Sequence, residues 1–356
     1  MKIYPLNDFS KIKRHVREFN PNIVNLKTCE LLHPDINKIL DNITFYGTDY
    51  IRIYPHFNDI INHISTTLKI DHKTITLSAG SDPIISIIIE ALGATTKRMI
   101  LQSPNYFSWH NYPILRNLNV TEVSFNSSNS YKFCINEFLK VLTSAQPSLV
   151  VISNPNSPTG YLFSAEDLLK LSMACEANGH LLIIDECFVG FSSIDNYDII
   201  GPKEHVIFIK SFSKIYGIAG ARIALTIASE RITEHLSYWR PEAAVSGHAL
   251  LTLEQILKYK DQLKVICLDI ANTREYFISC VKKIKPDWIS VPSGANFVVF
   301  CLSEEYNSST IVDIFLAHGF RIADVSSLPG LANCIRIGIG HLDIMTKVIN
   351  IIEKYI

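Results

Sequence analysis

Residues 149–185 read LVVISNPNSPTGYLFSAEDLLKLSMACEANGHLLIID. Two apolar runs, LVVIS (149–153) and LLIID (181–185), enclose a turn-rich loop and a helical stretch. Neither run alternates polar with apolar residues, so neither reads as a strand with one wet face. The stretch between them, 164–179, begins with Ser164 and carries Asp167 three residues on, an acidic variant of a capping box. Strand, helix and strand in this order imply a mostly parallel sheet covered on both faces.

The same pattern extends outward. RMILQ (98–102), VTEVSF (120–125) and HVIFIK (205–210) read as further strands, with PIISIIIEALGA (83–94) and INEFLKVLTS (135–144) as helices. From about Pro241 the pattern changes. One long helical stretch (249–284) precedes short strands in ISVPS, NFVVFCL, RIADV and IRIGIG, and a closing helix, LDIMTKVINIIEKYI. The expected organisation is α/β. A large domain spans 36–245; residues 1–35 and 246–356 supply an N-terminal arm and a smaller α+β domain.

Composition removes several function classes. The chain has 356 residues, 47% of them hydrophobic, and a net charge of -1. It lacks the basic excess of a nucleic-acid binder. MKIYPLNDFSKIKRHV has no apolar core of a signal peptide. No apolar run approaches the ~20 residues of a membrane span. None of the eight cysteines forms a CxxC pair, which argues against a metal site and for reduced thiols in a cytoplasmic protein.

In parallel sheets ligands sit at the carboxyl ends of strands, and four motifs fall there. In LSAGSDPIISIII, Gly80, Ser81 and Asp82 precede a helix, and free N–H groups at a helix start suit a phosphate. Alone this is an ordinary helix start. SNPNSPTG (153–160) is a tight loop offering Asn154, Asn156 and Ser157 as hydrogen-bonding residues. In LLIIDECF, Asp185 ends an apolar strand, where burial disfavours its charge unless a cation is near. The bland alternative is a helix cap. In SFSKIYGIAGAR (211–222), Lys214 lies among Ser211, Ser213 and Arg222. A buried lysine near positive charge has a lowered pKa and attacks a carbonyl; arginine and hydroxyls hold a phosphate dianion. Phosphate cup, ring-nitrogen carboxylate, hydrogen bonds for the ring oxygen and a lysine for the aldehyde are together what pyridoxal 5'-phosphate requires.

The order GSD, PNY, NPNSPTG, DECF, SFSK…GAR and IRIG resembles the class I/II aminotransferases, pyridoxal-phosphate enzymes of fold type I. The similarity runs from about Tyr54 to the C-terminus and is nearest the branch of histidinol-phosphate aminotransferase and threonine-phosphate decarboxylase. It implies a large domain with a mostly parallel seven-stranded sheet, a small domain, and a homodimer with shared sites. By position, it implies that Lys214 is the Schiff-base lysine, that Asp185 partners the pyridine nitrogen, and that Tyr106 stacks on the ring. Ser81, Asp82, Ser211, Ser213 and Arg222 would form the phosphate cup, with Tyr54 reaching the neighbouring subunit's phosphate. Arg336 would grip the substrate carboxylate, and Asn156, or else Ser157, the ring oxygen.

The sequence also departs from the family. Ser157 stands directly before PTG where asparagine is usual, and Phe188 stands where a tyrosine often follows the aspartate. Ala323 stands where the phosphate-substrate branch commonly has arginine, and KTCELLHP replaces the Asn-Glu-Asn-Pro motif. Arg52, Lys27 and His110 have no assigned role. The resemblance implies an aminotransferase acting on an amino acid and a 2-keto acid. A decarboxylase or lyase on the same cofactor is the alternative, and a non-catalytic cofactor-binding protein is a further one that the pairing of Lys214 with Asp185 argues against.

Overall fold

The computed structural model describes residues 19–44, 48–125 and 131–356; the first eighteen residues of the expected N-terminal arm lie outside the described residues. In chain order the strands are β1 (Val24–Asn25), β2 (Ile75–Ser78), β3 (Arg98–Ser103), β4 (Asn119–Ser124), β5 (Leu149–Ser153), β6 (Leu181–Asp185) and β7 (Val206–Ser211). There follow β8 (Ala224–Ile227), β9 (Ile289–Ser290), β10 (Phe297–Cys301), β11 (Phe320–Arg321), β12 (Ala323–Asp324) and β13 (Cys334–Gly338).

Seven strands make one sheet in the order β2-β8-β7-β6-β5-β3-β4. It is mostly parallel, as expected; β8 alone runs against both of its neighbours. The five strands read from apolar runs are all present, with ends within one residue. β2 and β8 escaped that reading because four residues between loops carry no usable period.

The sheet is covered on both faces, and alternation along each strand sorts its side chains. Val150, Ile152, Leu182, Ile184 and Phe208 join Phe138, Leu142, Leu168 and Leu171 of the helices Ile135–Ser144 and Ala165–Ala177. Val151, Ile183, Ile207 and Ile209 join Ile84, Ile85, Ile88 and Trp109 on the opposite face. Each fully buried leucine or isoleucine contributes about 1.5–3 kcal/mol. Ser164 caps its helix as expected, its Oγ accepting the Asp167 N–H at 3.1 Å. The expected helix over 83–94 is α-helical only from Ser81 to Ile88 and continues as a π turn, Ile89–Gly93.

The C-terminal part forms an antiparallel sheet, β12-β13-β10-β9. The long stretch 249–284 is two helices, Gly247–Leu257 and Lys260–Ile284, because Tyr259 leaves helical geometry (φ -101, ψ 14). β1 pairs in parallel with β11, which fixes the segment after Asn25 beside the small sheet.

Candidate active site

Strand register places the four motifs level with one another. Ser153 pairs with Asp185, and Asp185 with Ile209. Both Ser211 and Ser78 pair with Ala224. The loops after β2, β3, β5, β6 and β7 therefore leave one edge of the sheet together, and Arg222 enters that edge just before antiparallel β8.

At the anion end, Gly80 caps the helix Ser81–Ile88 with φ +96 and no side-chain cap. A Cβ built on Gly80 would lie 2.6 Å from Nη2 of Arg222. The guanidinium is thus laid against uncapped N–H groups at a helix start, two anion-seeking features in one place. Arg222 itself takes a left-handed backbone, φ +55, and its Nη1 donates to the Ala219 carbonyl at 3.2 Å. Ser211 and Ser213 are buried beside them, with the Ser213 N–H on Ser211 Oγ at 3.2 Å. The Asp82 carboxylate is committed elsewhere: it accepts from Ser108 Oγ at 2.6 Å and from the Tyr106 hydroxyl at 3.3 Å. Only the backbone of Asp82 remains for an anion.

At the centre, Asp185 is 3% exposed. Its Oδ2 accepts the indole N–H of Trp109 at 3.0 Å, and its Oδ1 accepts the Cys187 N–H at 3.1 Å. Burial pushes its pKa up, and the two donors only partly offset this. A buried carboxylate with two neutral donors is suited to receive a cation. Tyr106 is anchored through Asp82, and burial followed by that carboxylate pushes its phenol well up. Trp109 was missed in the sequence. Its signal was faint: it stands three residues after Tyr106, hence on the same helix face, but 76 residues from the aspartate it touches.

Lys214 Nζ donates to the Thr28 carbonyl at 2.5 Å and sits 5.4 Å from the Phe188 ring centroid. Burial lowers its pKa; Cys29, Glu30 and Cys187 oppose this, and the Arg336 charge adds a smaller lowering. Phe188 offers no hydroxyl and packs edge-on against Phe297 at 5.0 Å. Arg336, on β13, donates from Nη2 to the Lys27 carbonyl at 2.8 Å, while its buried Nε has no partner. Ala323 lies directly opposite it on β12.

Asn156 is fully buried, and its amide is spent within the strand-end loops. Its Nδ2 donates to Gln102 Oε1 at 3.0 Å and to the Pro104 carbonyl at 3.1 Å; its Oδ1 accepts from Thr159 Oγ1 at 2.6 Å. Tyr54 stands apart, 85% exposed, with no hydrogen bond among the described residues. Of the residues without a role, His110 pairs with Glu122 at 3.4 Å and Arg52 with Asp49 at 3.0 Å.

The chemistry of these donors fits pyridoxal phosphate: an anion cradle, a cation-seeking carboxylate and a lysine of lowered pKa, at one sheet edge.

Comparison with known proteins agrees. Residues 27–351 match the family model described as aminotransferase class I and II. The histidinol-phosphate aminotransferase of Ruminiclostridium cellulolyticum is 27% identical over 76% of this chain and 74% of its own. Among solved structures, the histidinol-phosphate aminotransferase from Clostridium acetobutylicum superimposes with a TM-score of 0.82 at 20% identity, covering 93% of this chain and 98% of that one. The enzyme of that name from Sinorhizobium meliloti, solved with pyridoxal-5'-phosphate, gives 0.74 at 21% identity, covering 94% and 92%. The chain belongs to the aminotransferase class I and II family, pyridoxal-phosphate-dependent enzymes of fold type I that transfer amino groups.

Proposed function

We propose that the strand-end site moves an amino group between an amino acid and a 2-keto acid, with the following division of labour. The backbone of Gly80, Ser81 and Asp82, with Ser211, Ser213 and Arg222, holds the cofactor phosphate. Tyr106 would hold the cofactor's ring, Asp185 its ring nitrogen and Lys214 its aldehyde. Because the Asn156 amide is already engaged, the ring-oxygen contact falls to Ser157 in this reading. Bound pyridoxal phosphate supplies an electron sink for charge left at the substrate Cα.

The residues then act in turn. Arg336 turns the unspent edge of its guanidinium to the substrate carboxylate, a two-pronged contact that fixes the amino acid. Lys214 would receive the Cα proton on Nζ; its lowered pKa makes the neutral amine available for this. Asp185 would stay anionic against a positive partner and would favour a proton on the ring nitrogen. The carrying observation is the buried Asp185 carboxylate, held by Trp109 and Cys187 at the same sheet edge as Lys214.

The substrate in this reading has a free α-carboxylate and no distal phosphate. Ala323 puts a methyl group opposite Arg336, so no second cation stands there to pair a buried phosphate. We also propose a homodimer, supported by the exposed Tyr54, and a cytoplasmic setting, supported by eight free thiols. No described helix is long and apolar enough to cross a membrane.

Purified holoenzyme is expected to absorb in the visible, and Lys214→Ala to lose the borohydride-reducible adduct. Amino acids, histidinol phosphate and threonine phosphate are then compared by kcat/KM with product analysis. Keto acid from unphosphorylated donors is the expected result. Carbon dioxide in place of keto acid identifies a decarboxylase, and preference for a phosphate ester defeats the substrate assignment.

A further inference from the structure

Cys301 and Cys334 face each other across β10 and β13. The next pair along, Leu302 and Asn333, is joined by a backbone bond of 3.0 Å. That puts 301/334 in the non-hydrogen-bonded position, where Cα atoms lie about 4.5 Å apart and side chains are closest. A disulfide accepts Cα separations of about 4.4–6.8 Å. Both side chains are buried, and the Cys334 Sγ donates to the Ala332 carbonyl at 3.3 Å. No other two cysteines among the described residues are paired in strand register.

We propose that Cys301 and Cys334 form a reversible oxidation site, joined as a disulfide by a hydroperoxide and coupled through β13 to Arg336. In the first step the Cys301 thiolate attacks one peroxide oxygen. The O–O bond breaks, the departing oxygen takes a proton and leaves as water or an alcohol, and Cys301 becomes a sulfenic acid. In the second step the Cys334 sulfur attacks that sulfenic sulfur, the S–S bond forms, and the hydroxyl leaves with the Cys334 proton as water. Two electrons pass from the two thiols to the peroxide. Cys301 reacts first: its thiol is held below the usual range, while that of Cys334, which donates to the Ala332 carbonyl, is pushed up.

The coupling follows from register. Cys334 and Arg336 are two residues apart on β13 and share a face. Val299, opposite Arg336, is likewise two residues from Cys301. A disulfide bond is shorter than any contact between thiols, so it draws the strands together beside the guanidinium. This second half rests on the proposed role of Arg336 in holding the substrate carboxylate.

The test treats holoenzyme with hydrogen peroxide, alkylates the remaining thiols and maps peptides without reduction. A linked peptide holding Cys301 and Cys334 is expected, reversed by dithiothreitol and absent from Cys301→Ser and Cys334→Ser. KM for the amino donor is expected to rise several-fold in the oxidised wild type alone, with a smaller change in kcat, and to return on reduction. If other cysteines oxidise while these two stay free, the site is overturned. If the linked peptide forms and KM is unmoved, the coupling is overturned. Failure of the Arg336 reading shows separately, as an unchanged KM in Arg336→Ala with peptide mapping unaffected.

Discussion

At the residue scale, Asp185 carries the heaviest demand in the proposed mechanism, which needs it charged where burial opposes charge. Asp185→Asn is expected to retain cofactor but lose several kcal/mol of transition-state stabilisation, read from kcat/KM. Trp109→Phe tests the support beneath it. A hydrogen bond to a charged group is worth about 1.5–3 kcal/mol, so kcat should fall roughly tenfold to a hundredfold. Losing the indole N–H also raises the carboxyl pKa, so the acid limb of the pH–rate profile should move to higher pH. An unmoved limb would leave Trp109 a packing residue. A second pH shift belongs to Lys214. Its pKa is lowered chiefly by burial, against which Cys29, Glu30 and Cys187 act, and to a smaller extent by the Arg336 charge. Removing that charge in Arg336→Ala should let the pKa climb toward the ordinary lysine value. The pH at which apoenzyme captures pyridoxal phosphate half-maximally should therefore rise; an unchanged midpoint means that Lys214 does not sense Arg336. Asp185 was legible in the sequence because it ends a buried strand, where a charge needs a reason, and Lys214 because it follows one among two serines and an arginine. Trp109, and the carbonyls of Lys27 and Thr28 that meet Arg336 and Lys214, were not, since only the folded chain brings them there.

At the scale of elements, the fold was legible wherever burial on both faces wrote an uninterrupted apolar run, as in β5, β6 and β7. It was not legible in β2 and β8, which are short, nor at Tyr259, where apolar periodicity carries across a helix break. The loop after β5 shows a different limit. Composition marked Asn156 as a donor, but its local bonds to Thr159 and Gln102 consume it. The turn after β2 gives an element-scale prediction. Gly80→Ala places a methyl at φ +96 and 2.6 Å from Arg222, so the guanidinium must swing away from the helix start. Cofactor Kd should rise by about tenfold or more, ~1.4 kcal/mol. Gly220→Ala in the neighbouring loop meets nothing within 4 Å and serves as the control. Equal Kd values in both variants and the wild type would remove the Gly80 turn from the phosphate site.

On the scale of the whole molecule, the site as described lacks a contribution from Tyr54. That side chain is 85% exposed, and Ile51, at 70%, lies close by in sequence. Two large apolar side chains in water beside a short helix, Asp49–Arg52, are poorly placed in an isolated chain. In the proposed homodimer they meet the partner, and Tyr54 reaches the partner's phosphate group. Twofold symmetry then makes each site from two chains: Lys214 from one and Tyr54 from the other. This has a consequence that sedimentation alone does not test. Lys214→Ala dimers are expected to be inactive, and Tyr54→Ala dimers weak at limiting cofactor. In a hybrid of the two, one site loses both residues, and the other regains both, Lys214 from the Tyr54→Ala chain and Tyr54 from the Lys214→Ala chain. With random pairing half of the dimers are hybrids, so activity should recover to about a quarter of the wild-type sites. Co-expression with two affinity tags isolates the hybrid, and turnover at limiting pyridoxal phosphate is the readout. If every site is instead built within one chain, no intact site arises on mixing. Hybrids no more active than the average of the parents would then refute the shared site.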